Sequence, residues 1–418
     1  RRQERRAAEV CLMPGTLGVW LDKTRVGSLT NLGGDYNLFA FDDDYRADPN
    51  RPVLSQGLIS SNGDPLHIVP RSHTAAPPFF SNALPEPDSL LRELIARQHD
   101  IKRAPDFGFL CALGEDLPGA VRVRPESAAQ TPDVSDEAAN AAGGAPLKFS
   151  LAGVQLKFSA SMHGDRLTIP TQGGSWIVKL PAVAYARLPE NEYAMMRFAR
   201  AIGLRVPSIE LVDLATIENL PHNLPALRDD EPKLAYAIER FDRCADGARV
   251  HAEDFNQIAG QPPTEKYEHK TTEYVASVVS QLCPSEDVEE LIARIVFGVA
   301  IGNGDMHLKN WGVVYPDGRN ARLAPLYDFI STSPYFPKDA LALSLGGEKR
   351  YDRITGETLA DFAAQAEISV KMARRVAAET IERMRVAWPA IRQTVPDGSL
   401  VTAVEAHAAA TPLARAFV

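Results

Sequence analysis

Residues 301–330 contain two polar loops separated by an apolar hairpin, and this pattern restricts the possible folds more than any other part of the sequence. The first loop ends at Asn310, and two short apolar runs joined by a Pro-Asp-Gly turn lead to the second loop at Asp328. Because a hairpin returns the chain to where it started, we expect Asp305, Asn310 and Asp328 to meet in space. The preceding residues 291–300 are apolar on nearly all sides, which predicts a buried helix that delivers the first loop from a core.

These polar residues have the types and spacing of a phosphoryl-transfer site. A protein kinase uses an Asp to accept the proton of the attacking hydroxyl, an Asn five residues later to hold Mg²⁺, and a further Asp after a hairpin for the same metal. We therefore predict Asp305 as catalytic and Asn310 and Asp328 as metal ligands. His307 and Lys309 add groups that can meet phosphate, and Lys309 is a second catalytic candidate. Taken alone, an Asp-x4-Asn pair is also compatible with ordinary turn chemistry.

A possible phosphate-binding loop lies upstream, in the run Lys-Phe-Ser-Leu-Ala-Gly-Val-Gln-Leu-Lys-Phe at residues 148–158. Small residues allow backbone N–H groups to face an anion, and a lysine stands close by. The plainer alternative is an amphipathic strand interrupted by a glycine. In the first interpretation, Ala152 and Gly153 face the phosphates and Lys157 stands beside them.

The apolar run Trp-Ile-Val-Lys-Leu at residues 176–180 places Lys179 in a predicted strand. A lysine there must pair with an anion or extend to solvent, since burying an unpaired charge is costly. A kinase uses such a lysine on the nucleotide phosphates and pairs it with a glutamate of the next helix. Both Glu190 and Glu192 are available, and we favour Glu192.

Residues 234–241, Leu-Ala-Tyr-Ala-Ile-Glu-Arg-Phe, form another predicted strand. A strand that leaves a kinase small lobe at this point becomes the hinge, whose backbone can bond adenine. We predict nucleotide contacts at Glu239, Arg240 and Phe241, and also at His307, Lys309, Tyr327 and Asp328. An ordinary edge strand with a surface Glu-Arg pair is equally compatible with the composition of this run.

The chain has 418 residues, more than a single core usually holds, so we expect two or three domains. An alternating pattern from Leu17 predicts a hairpin that opens an N-terminal subdomain. Residues 251–259 and 271–282 look helical and begin the large lobe. A boundary belongs at residues 125–146, which are nearly all small, polar or acidic and predict a flexible linker. The predicted division is 1–14 extension, 15–124 N-terminal subdomain, 125–146 linker, 147–245 kinase small lobe and 246–418 mainly helical large lobe.

Composition excludes several classes of protein. The net charge of −9 argues against a free-standing nucleic-acid binder, whose affinity depends on cationic contacts with phosphates. No apolar run approaches the 18 residues of a membrane-spanning helix, and no signal peptide is recognisable. We therefore expect a cytoplasmic protein without a membrane partner.

The motifs depart from the eukaryotic kinase signature, because no His-Arg precedes Asp305, no Gly follows Phe329 and no G-x-G-x-x-G stands upstream. Gly-Asp-Met-His-Leu-Lys-Asn followed by Leu-Tyr-Asp-Phe-Ile-Ser instead resembles the HipA family, bacterial serine/threonine kinases that are the toxins of toxin–antitoxin pairs. The run Phe-Phe-Ser-Asn-Ala-Leu-Pro-Glu at residues 79–86 and the segment at residues 261–270 also resemble this family. The likeness extends through nearly all of residues 15–395.

The resemblance implies an α+β, two-lobed protein-kinase-like fold with an additional small β-containing N-terminal subdomain, and ATP and Mg²⁺ as cofactors. It also implies that the matching segment contacts the nucleotide phosphates, through Ala152, Gly153, Val154, Gln155, Leu156 and Lys157. A further implication is that Ser150 is an autophosphorylation site, whose modification we expect to inactivate the enzyme. Its implied partners are a HipB-like helix-turn-helix antitoxin, operator DNA only through that antitoxin, and a protein substrate such as an aminoacyl-tRNA synthetase.

Two other functions remain open at this level. The chain could be a non-catalytic kinase-fold corepressor of a DNA-binding antitoxin, or a small-molecule kinase of the antibiotic phosphotransferase type. A degenerate kinase usually loses one of its essential groups, whereas Lys179, Asp305, Asn310 and Asp328 are all present here. A small-molecule kinase would explain neither Ser150 nor the N-terminal subdomain, so we favour the protein kinase.

Overall fold

The computed structural model of this chain covers most of the sequence. It describes residues 15–33, 36–67, 69, 75–99, 101, 105–126, 156–163, 166–169, 173–182, 184–220 and 232–418. The predicted extension at residues 1–14, the linker after residue 126, Ser150 and residues 152–155 lie outside the described residues.

The N-terminal subdomain is built on an antiparallel sheet. Its strands are β1 Gly15–Leu21, β2 Thr24–Asn31, β3 Asn37–Phe41 and β4 Val121–Pro125, and they pair in the order β3-β2-β1-β4. The helices described between β3 and β4 are α1 Asp43–Ala47, α2 Pro78–Asn82, α3 Leu90–Gln98 and α4 Asp106–Leu113. The predicted opening hairpin is confirmed, since β1 pairs with β2 along its length. Leu17, Val19 and Leu21 share one face and are buried in a core that includes Phe39 and Phe80.

The small lobe is a five-stranded antiparallel sheet with one long helix against it. The elements are β5 Lys157–His163, β6 Arg166–Thr168, β7 Trp176–Lys179, α5 Leu188–Ala201, β8 Ile209–Asp213 and β9 Leu234–Glu239. The strand order is β6-β5-β7-β9-β8. The register of β5 on β7 sets Lys157 directly opposite Lys179. Directly opposite residues of antiparallel strands lie on the same face, so both ammonium groups extend toward the same side of the sheet.

The large lobe is mainly helical. Its strands β10 His251–Asp254, β11 Gly312–Tyr315 and β12 Arg322–Leu323 form a three-stranded sheet in that order. Its helices are α6 Phe255–Ile258, α7 Thr272–Leu282, α8 Ser285–Ile301, α9 Gly356–Gln365, α10 Val370–Arg392 and α11 Gly398–Ala410. The hairpin predicted between Asn310 and Asp328 is confirmed by the pairing of β11 with β12.

Helix α8 is the central helix of the large lobe, and its last eleven residues are all buried, as the apolar run at 291–300 predicts. It ends at Gly302, whose φ of 69° lies in the left-handed region that glycine adopts without steric cost. A Cβ at this position would also stand 2.9 Å from the ring of His407. The chain therefore leaves the core abruptly here, at the start of the first polar loop.

The helix expected at residues 251–259 is wrong in its first half. His251–Asp254 is strand β10, and only Phe255–Ile258 is helical. The strand forms because these residues pair with β11, from His251 opposite Tyr315 to Asp254 opposite Gly312. That partner lies far along the chain, and local periodicity carries no information about it.

A buried group of ionic side chains joins the N-terminal subdomain to the end of β9. Arg240 is almost fully buried and pairs with Asp242 at 2.9 Å, while Arg243 pairs with Asp116 at the same distance. The main-chain N–H of Gly119 donates to Asp242 at 2.7 Å. Burial opposes ionisation of Asp242, but its arginine neighbours prevail and lower its pKa to about 2. This ionic group fastens the subdomain directly beside the predicted hinge.

No described helix is both long enough and apolar enough to cross a membrane. The described elements form an α+β fold of two lobes with an additional β-containing N-terminal subdomain, as predicted.

Removing Asp242 should destabilise the fold. In Asp242→Ala, Arg240 loses its nearest carboxylate while buried, which costs about 3–5 kcal/mol. Because the pKa of Asp242 is lower in the folded state, its contribution is full above about pH 4 and is lost as pH falls toward 2. Urea unfolding at pH 7 and at acidic pH measures both effects. Glu382→Ala, which removes an exposed pair with Arg385, is the control and should change little; equal stability of the two variants would contradict the prediction.

Candidate active site

A cavity of about 570 Å³ lies between the two lobes, and the N-terminal subdomain closes one of its sides. Its volume is in the range typical of small-molecule sites. Asp305, Asn310 and Asp328, which the sequence predicts to meet, all line it. Lys179 lines the same cavity from the small lobe.

The first polar loop, residues 302–310, is the predicted catalytic loop, and it is held by its own hydrogen bonds. The side-chain amide of Asn310 donates to the main-chain oxygen of Asp305 at 2.7 Å, and Asn303 accepts from the N–H of Asp305 at 3.1 Å. Gly304 packs closely against the side chain of Asp339: a Cβ at position 304 would stand 1.9 Å from one of its carboxylate oxygens, so a larger residue would force that side chain to move. Donation through its nitrogen orients the Asn310 amide, whose oxygen is the atom that a metal would use.

Asp328 stands at the centre of a group of four charged side chains, of which Lys157, Lys179 and Glu192 are buried and Asp328 is 25% exposed. Its carboxylate accepts from Lys179 and, at 3.1 Å, from Lys157. Lys179 also donates to Glu192, so the structure selects this glutamate of the two candidates. The carboxylate of Glu190 instead lies 3.9 Å from Arg187. Asp328 has a φ of 55°, an unfavourable value for a residue with a side chain, which is typical of functional sites.

The charges in this group determine one another's ionisation. Burial would raise the pKa of Asp328, but Lys157 and Lys179 hold it far below its ordinary value. Burial also disfavours the ammonium of Lys179, yet Asp328 and Glu192 outweigh that effect and raise its pKa. Asp328 is therefore a carboxylate at any physiological pH, available to cations in the cavity.

Asp305, the predicted catalytic residue, has a partner that the sequence reasoning missed. The hydroxyl of Tyr267 donates to its carboxylate at 2.6 Å, and the rings of Tyr267 and His307 pack edge to face at 5.0 Å. Burial raises the pKa of Asp305, although the Tyr267 hydrogen bond acts in the opposite direction. A raised pKa suits a group that must accept a proton. Residue types in the segment around Tyr267 carried no signal of this contact.

The ammonium group of Lys309 contacts the N-terminal subdomain, whereas the sequence predicts that it meets a phosphate. Its ammonium donates to the main-chain oxygen of Asn82 at 3.1 Å and lies 3.2 Å from the carboxylate of Glu86. Glu86 also lies 3.4 Å from Lys266. Both Asn82 and Glu86 belong to the run at residues 79–86, which was singled out by resemblance and not by chemistry. The N-terminal subdomain thus contributes a carboxylate to the cavity and controls the position of Lys309.

His307 is buried beside these cations. Burial, together with Lys266 and Lys309, lowers its pKa well below the ordinary value, so the ring is neutral. Its Nδ1 atom has no hydrogen-bond partner among the described residues. A neutral ring with an unused nitrogen can bond a polar group that enters the cavity.

The predicted hinge residues have divided roles. The main-chain N–H of Glu239 donates to the carbonyl of Ser208, and that of Arg240 donates to the carbonyl of Ser175. The guanidinium of Arg240 pairs with Asp242 in the buried ionic group beside the hinge. A contact from Arg240 to a nucleotide would therefore have to come from its main-chain oxygen. The ring of Phe241 lies 5.7 Å from that of Tyr327, and both line the cavity.

Of the predicted phosphate loop, only Leu156 and Lys157 are described. Leu156 is buried, and its carbonyl accepts from the N–H of Leu180 at 3.0 Å. Lys157 opens strand β5 and reaches Asp328 across the cavity. The contribution of residues 152–155 lies outside what the structure describes.

The side chains available to a metal suit Mg²⁺ better than a metal that needs a complete protein cage. The described residues contain no group of three or more His, Cys, Asp or Glu side chains arranged for a metal. Asp328 and Asn310 offer one carboxylate and one amide oxygen. Mg²⁺ is commonly held by one or two such ligands together with water and substrate phosphates, and when bound it would neutralise phosphate charge.

Comparisons with known proteins identify the family of this chain. The family model "HipA-like C-terminal domain" matches residues 149–388, and "HipA N-terminal domain" matches residues 17–124. The fold is that of a two-lobed kinase-like protein. The chain belongs to the HipA family.

Two relatives illustrate the range of the likeness. "Putative kinase Y4dM" of Sinorhizobium fredii is 42% identical over 399 residues, which cover 94% of this chain and 96% of that protein. "Serine/threonine-protein kinase toxin HipA" of Shewanella oneidensis is 24% identical over 324 residues, covering 68% and 70% of the two chains. These names support a kinase.

A solved structure shows the same fold. It is the HipA, HipB and operator DNA complex of Shewanella oneidensis, with a TM-score of 0.72, 20% identity and 96% of each chain covered. At this identity the likeness concerns the fold alone. It confirms the predicted kinase-like architecture with its additional N-terminal subdomain.

Glu86→Gln should impair phosphoryl transfer without unfolding the chain. The amide keeps the shape of the side chain but removes the charge that holds Lys309, and small displacements of a catalytic group can cost about 100-fold in rate. Initial rates of phosphate transfer measure the loss. Glu93→Gln, in an exposed pair with Arg97 on α3, is the matched control. A Glu86→Gln rate equal to that of the control would show that Lys309 does not need this partner.

Proposed function

We propose that this chain is an ATP- and Mg²⁺-dependent serine/threonine-protein kinase. The observation that carries the proposal is the group of four charged side chains formed by Lys157, Lys179, Glu192 and Asp328, the first three of them buried. This group lies in one cavity with Asp305 and Asn310. A strand lysine paired with a helix glutamate, beside a metal-binding carboxylate, is the arrangement that kinases use on ATP phosphates.

The two lysines are the proposed phosphate ligands. Both lysines now donate to the carboxylate of Asp328. An incoming polyphosphate can replace that carboxylate as the anion that binds the two ammonium groups. Asp328 would then be released to hold Mg²⁺ together with Asn310. The proposed adenine site lies beside the rings of Phe241 and Tyr327, which are 5.7 Å apart and both line the cavity. Main-chain atoms of residues 239–241 complete it.

Asp305 is the proposed base for the acceptor hydroxyl. Its carboxylate already accepts a hydrogen bond from a hydroxyl group, that of Tyr267, and this contact supports the assignment. Lys309 lies on the same loop and would offset charge that develops during transfer. His307, neutral and with an unused ring nitrogen, can bond a phosphate oxygen once its proton resides on that nitrogen.

The catalytic assignment is tested with Asp305→Asn and Asp328→Ala. Asp305→Asn should retain nucleotide binding but lose transfer to protein, while Asp328→Ala should also weaken Mg²⁺-dependent ATP binding. Losses of several kcal/mol in transition-state stabilisation are typical for such groups. Transfer from labelled ATP and calorimetric ATP binding measure the two effects, with exposed Asp246→Asn as control.

Thermal unfolding verifies that each variant is folded. Wild-type transfer rates in Asp305→Asn would overturn its assignment. A wild-type chain that binds ATP but transfers no phosphate would favour the non-catalytic corepressor instead.

We further propose that the chain is the toxin of a toxin–antitoxin pair and that it works in the cytoplasm. Support comes from family membership and from a whole-chain fold likeness to a HipA chain in a HipA, HipB and operator DNA complex. Its partner would be a HipB-like helix-turn-helix antitoxin, through which alone it meets operator DNA, as the chain's own charge of −9 suggests. The protein substrate would be a translation component such as an aminoacyl-tRNA synthetase. Co-purification with the product of a neighbouring helix-turn-helix gene would test the pairing.

Ser150 is the proposed inactivating autophosphorylation site. It follows the proposed linker at residues 125–146, which separates the N-terminal subdomain at 15–124 from the small lobe at 147–245 and the large lobe at 246–418. A phosphate there adds about −1.5 to −2 charges beside the loop meant for ATP phosphates. Protein incubated with Mg-ATP should therefore lose ATP affinity in step with phosphorylation of Ser150, and Ser150→Ala should keep it. Intact-mass and peptide mass spectrometry with a binding assay decide this. A phosphorylated form that binds ATP as well as the unmodified chain would refute the switch.

A further inference from the structure

The contact between Tyr267 and Asp305 has the geometry of an acceptor on a catalytic base. The phenol oxygen lies 2.6 Å from a carboxylate oxygen of Asp305 and donates its proton to it. A kinase places the hydroxyl that is to be phosphorylated at hydrogen-bond distance from this carboxylate. The position that a protein substrate needs is therefore filled by a side chain of the enzyme.

The segment that carries Tyr267 is built to hold this position. The N–H of Leu308, on the catalytic loop, donates to the carbonyl of Lys266 at 3.1 Å. The side-chain amide of Gln261 donates to the carbonyls of Glu265 and Glu268, at 3.0 and 3.1 Å, and closes the segment into a compact turn. These bonds lie on both sides of Tyr267. Its contact with Asp305 is thus part of an ordered loop anchored to the site.

The side chain of Tyr267 is also accessible. The residue is 43% exposed, although its hydroxyl end reaches into the cavity. The edge of its ring packs against His307, and Lys266 lies over its face at 5.4 Å. Asp328 and Asn310, the proposed ligands of the Mg²⁺ that accompanies ATP, line the same cavity. A terminal phosphate bound there would face the group that Asp305 holds.

We propose that Tyr267 is an internal phosphoryl acceptor, modified within its own molecule. This inference rests on the proposed kinase function. The phenol oxygen attacks the terminal phosphorus of ATP, a P–O bond forms to Tyr267, the bond to the bridging oxygen of ADP breaks, and the phenol proton passes to Asp305. No other reactant is needed. Tethering replaces the binding energy that a free tyrosine substrate would require.

Modification would change the site. Phosphotyrosine carries about −1.5 to −2 charges and no hydroxyl proton, so it can no longer bond the Asp305 carboxylate and is repelled by it. Release of Tyr267 exposes Asp305 to protein substrates. Phosphorylation of Tyr267 would thus vacate the acceptor position beside Asp305 and activate the enzyme toward protein substrates. Phosphorylation of Ser150, by contrast, is proposed to inactivate it.

The experiment uses the full chain as Ser150→Ala, so that the two proposed sites are not confused. Protein is incubated with Mg-ATP at several enzyme concentrations, and phosphate at each residue is followed by peptide mass spectrometry, with myelin basic protein as a general substrate in parallel. We expect one phosphate on Tyr267, formed with a rate constant independent of enzyme concentration. Phosphorylation of the added protein should show a lag that ends as Tyr267 is modified.

Tyr267→Phe should lose both the phosphate and the lag, and Tyr274→Phe, which removes a nearby hydroxyl outside the cavity lining, should keep both. Phosphate on the added protein with none on Tyr267 would overturn this inference and leave the kinase function standing. A rate that rises with enzyme concentration would overturn modification within one molecule. Absence of transfer to any residue or protein would overturn the kinase function, and this inference with it.

Discussion

The structure of the site depends on two lysines and two carboxylates that pair with one another, three of them buried and the fourth, Asp328, partly exposed. Lys157 and Lys179 stand opposite each other on adjacent strands, and Glu192 and Asp328 balance their charge from helix α5 and the second polar loop. None of these groups could be buried alone at tolerable cost. The pairing therefore ties the small lobe to the large lobe across the cavity. It also leaves Lys157 and Lys179 able to bind another anion, such as a phosphate, in place of Asp328.

The N-terminal subdomain is a working part of this cavity. An ionic group around Arg240 and Asp242 fixes the subdomain at the hinge, and Glu86 reaches from it to Lys309 on the catalytic loop. Its core is continuous with the small-lobe sheet, since residues of both pack in one hydrophobic cluster. A displacement of the subdomain would therefore be transmitted to the catalytic loop through one carboxylate. This gives the HipA architecture a physical reason to keep the subdomain attached.

Much of this could be inferred from local sequence. Glycine at position 302, an apolar run before it and a Pro-Asp-Gly turn after it are short-range signals, and they correctly predict a buried helix, an abrupt end and a hairpin. The hairpin in turn brings Asp305, Asn310 and Asp328 to one cavity. The position of Lys179 in an apolar strand also indicated that its side chain must pair with an anion or reach solvent.

Other features were decided only by the tertiary structure. Strand β10 looked helical because its partner β11 is distant in the chain. Glu192 was separated from Glu190 by the direction each side chain takes from α5, and Glu86 and Tyr267 entered the site through packing between segments far apart in sequence. The sequence by itself determined which chemical groups are present and how short segments fold. Only the tertiary structure decided which charges neutralise one another, because electrostatic partners are chosen by distance in space and burial, and neither can be read from spacing along a chain.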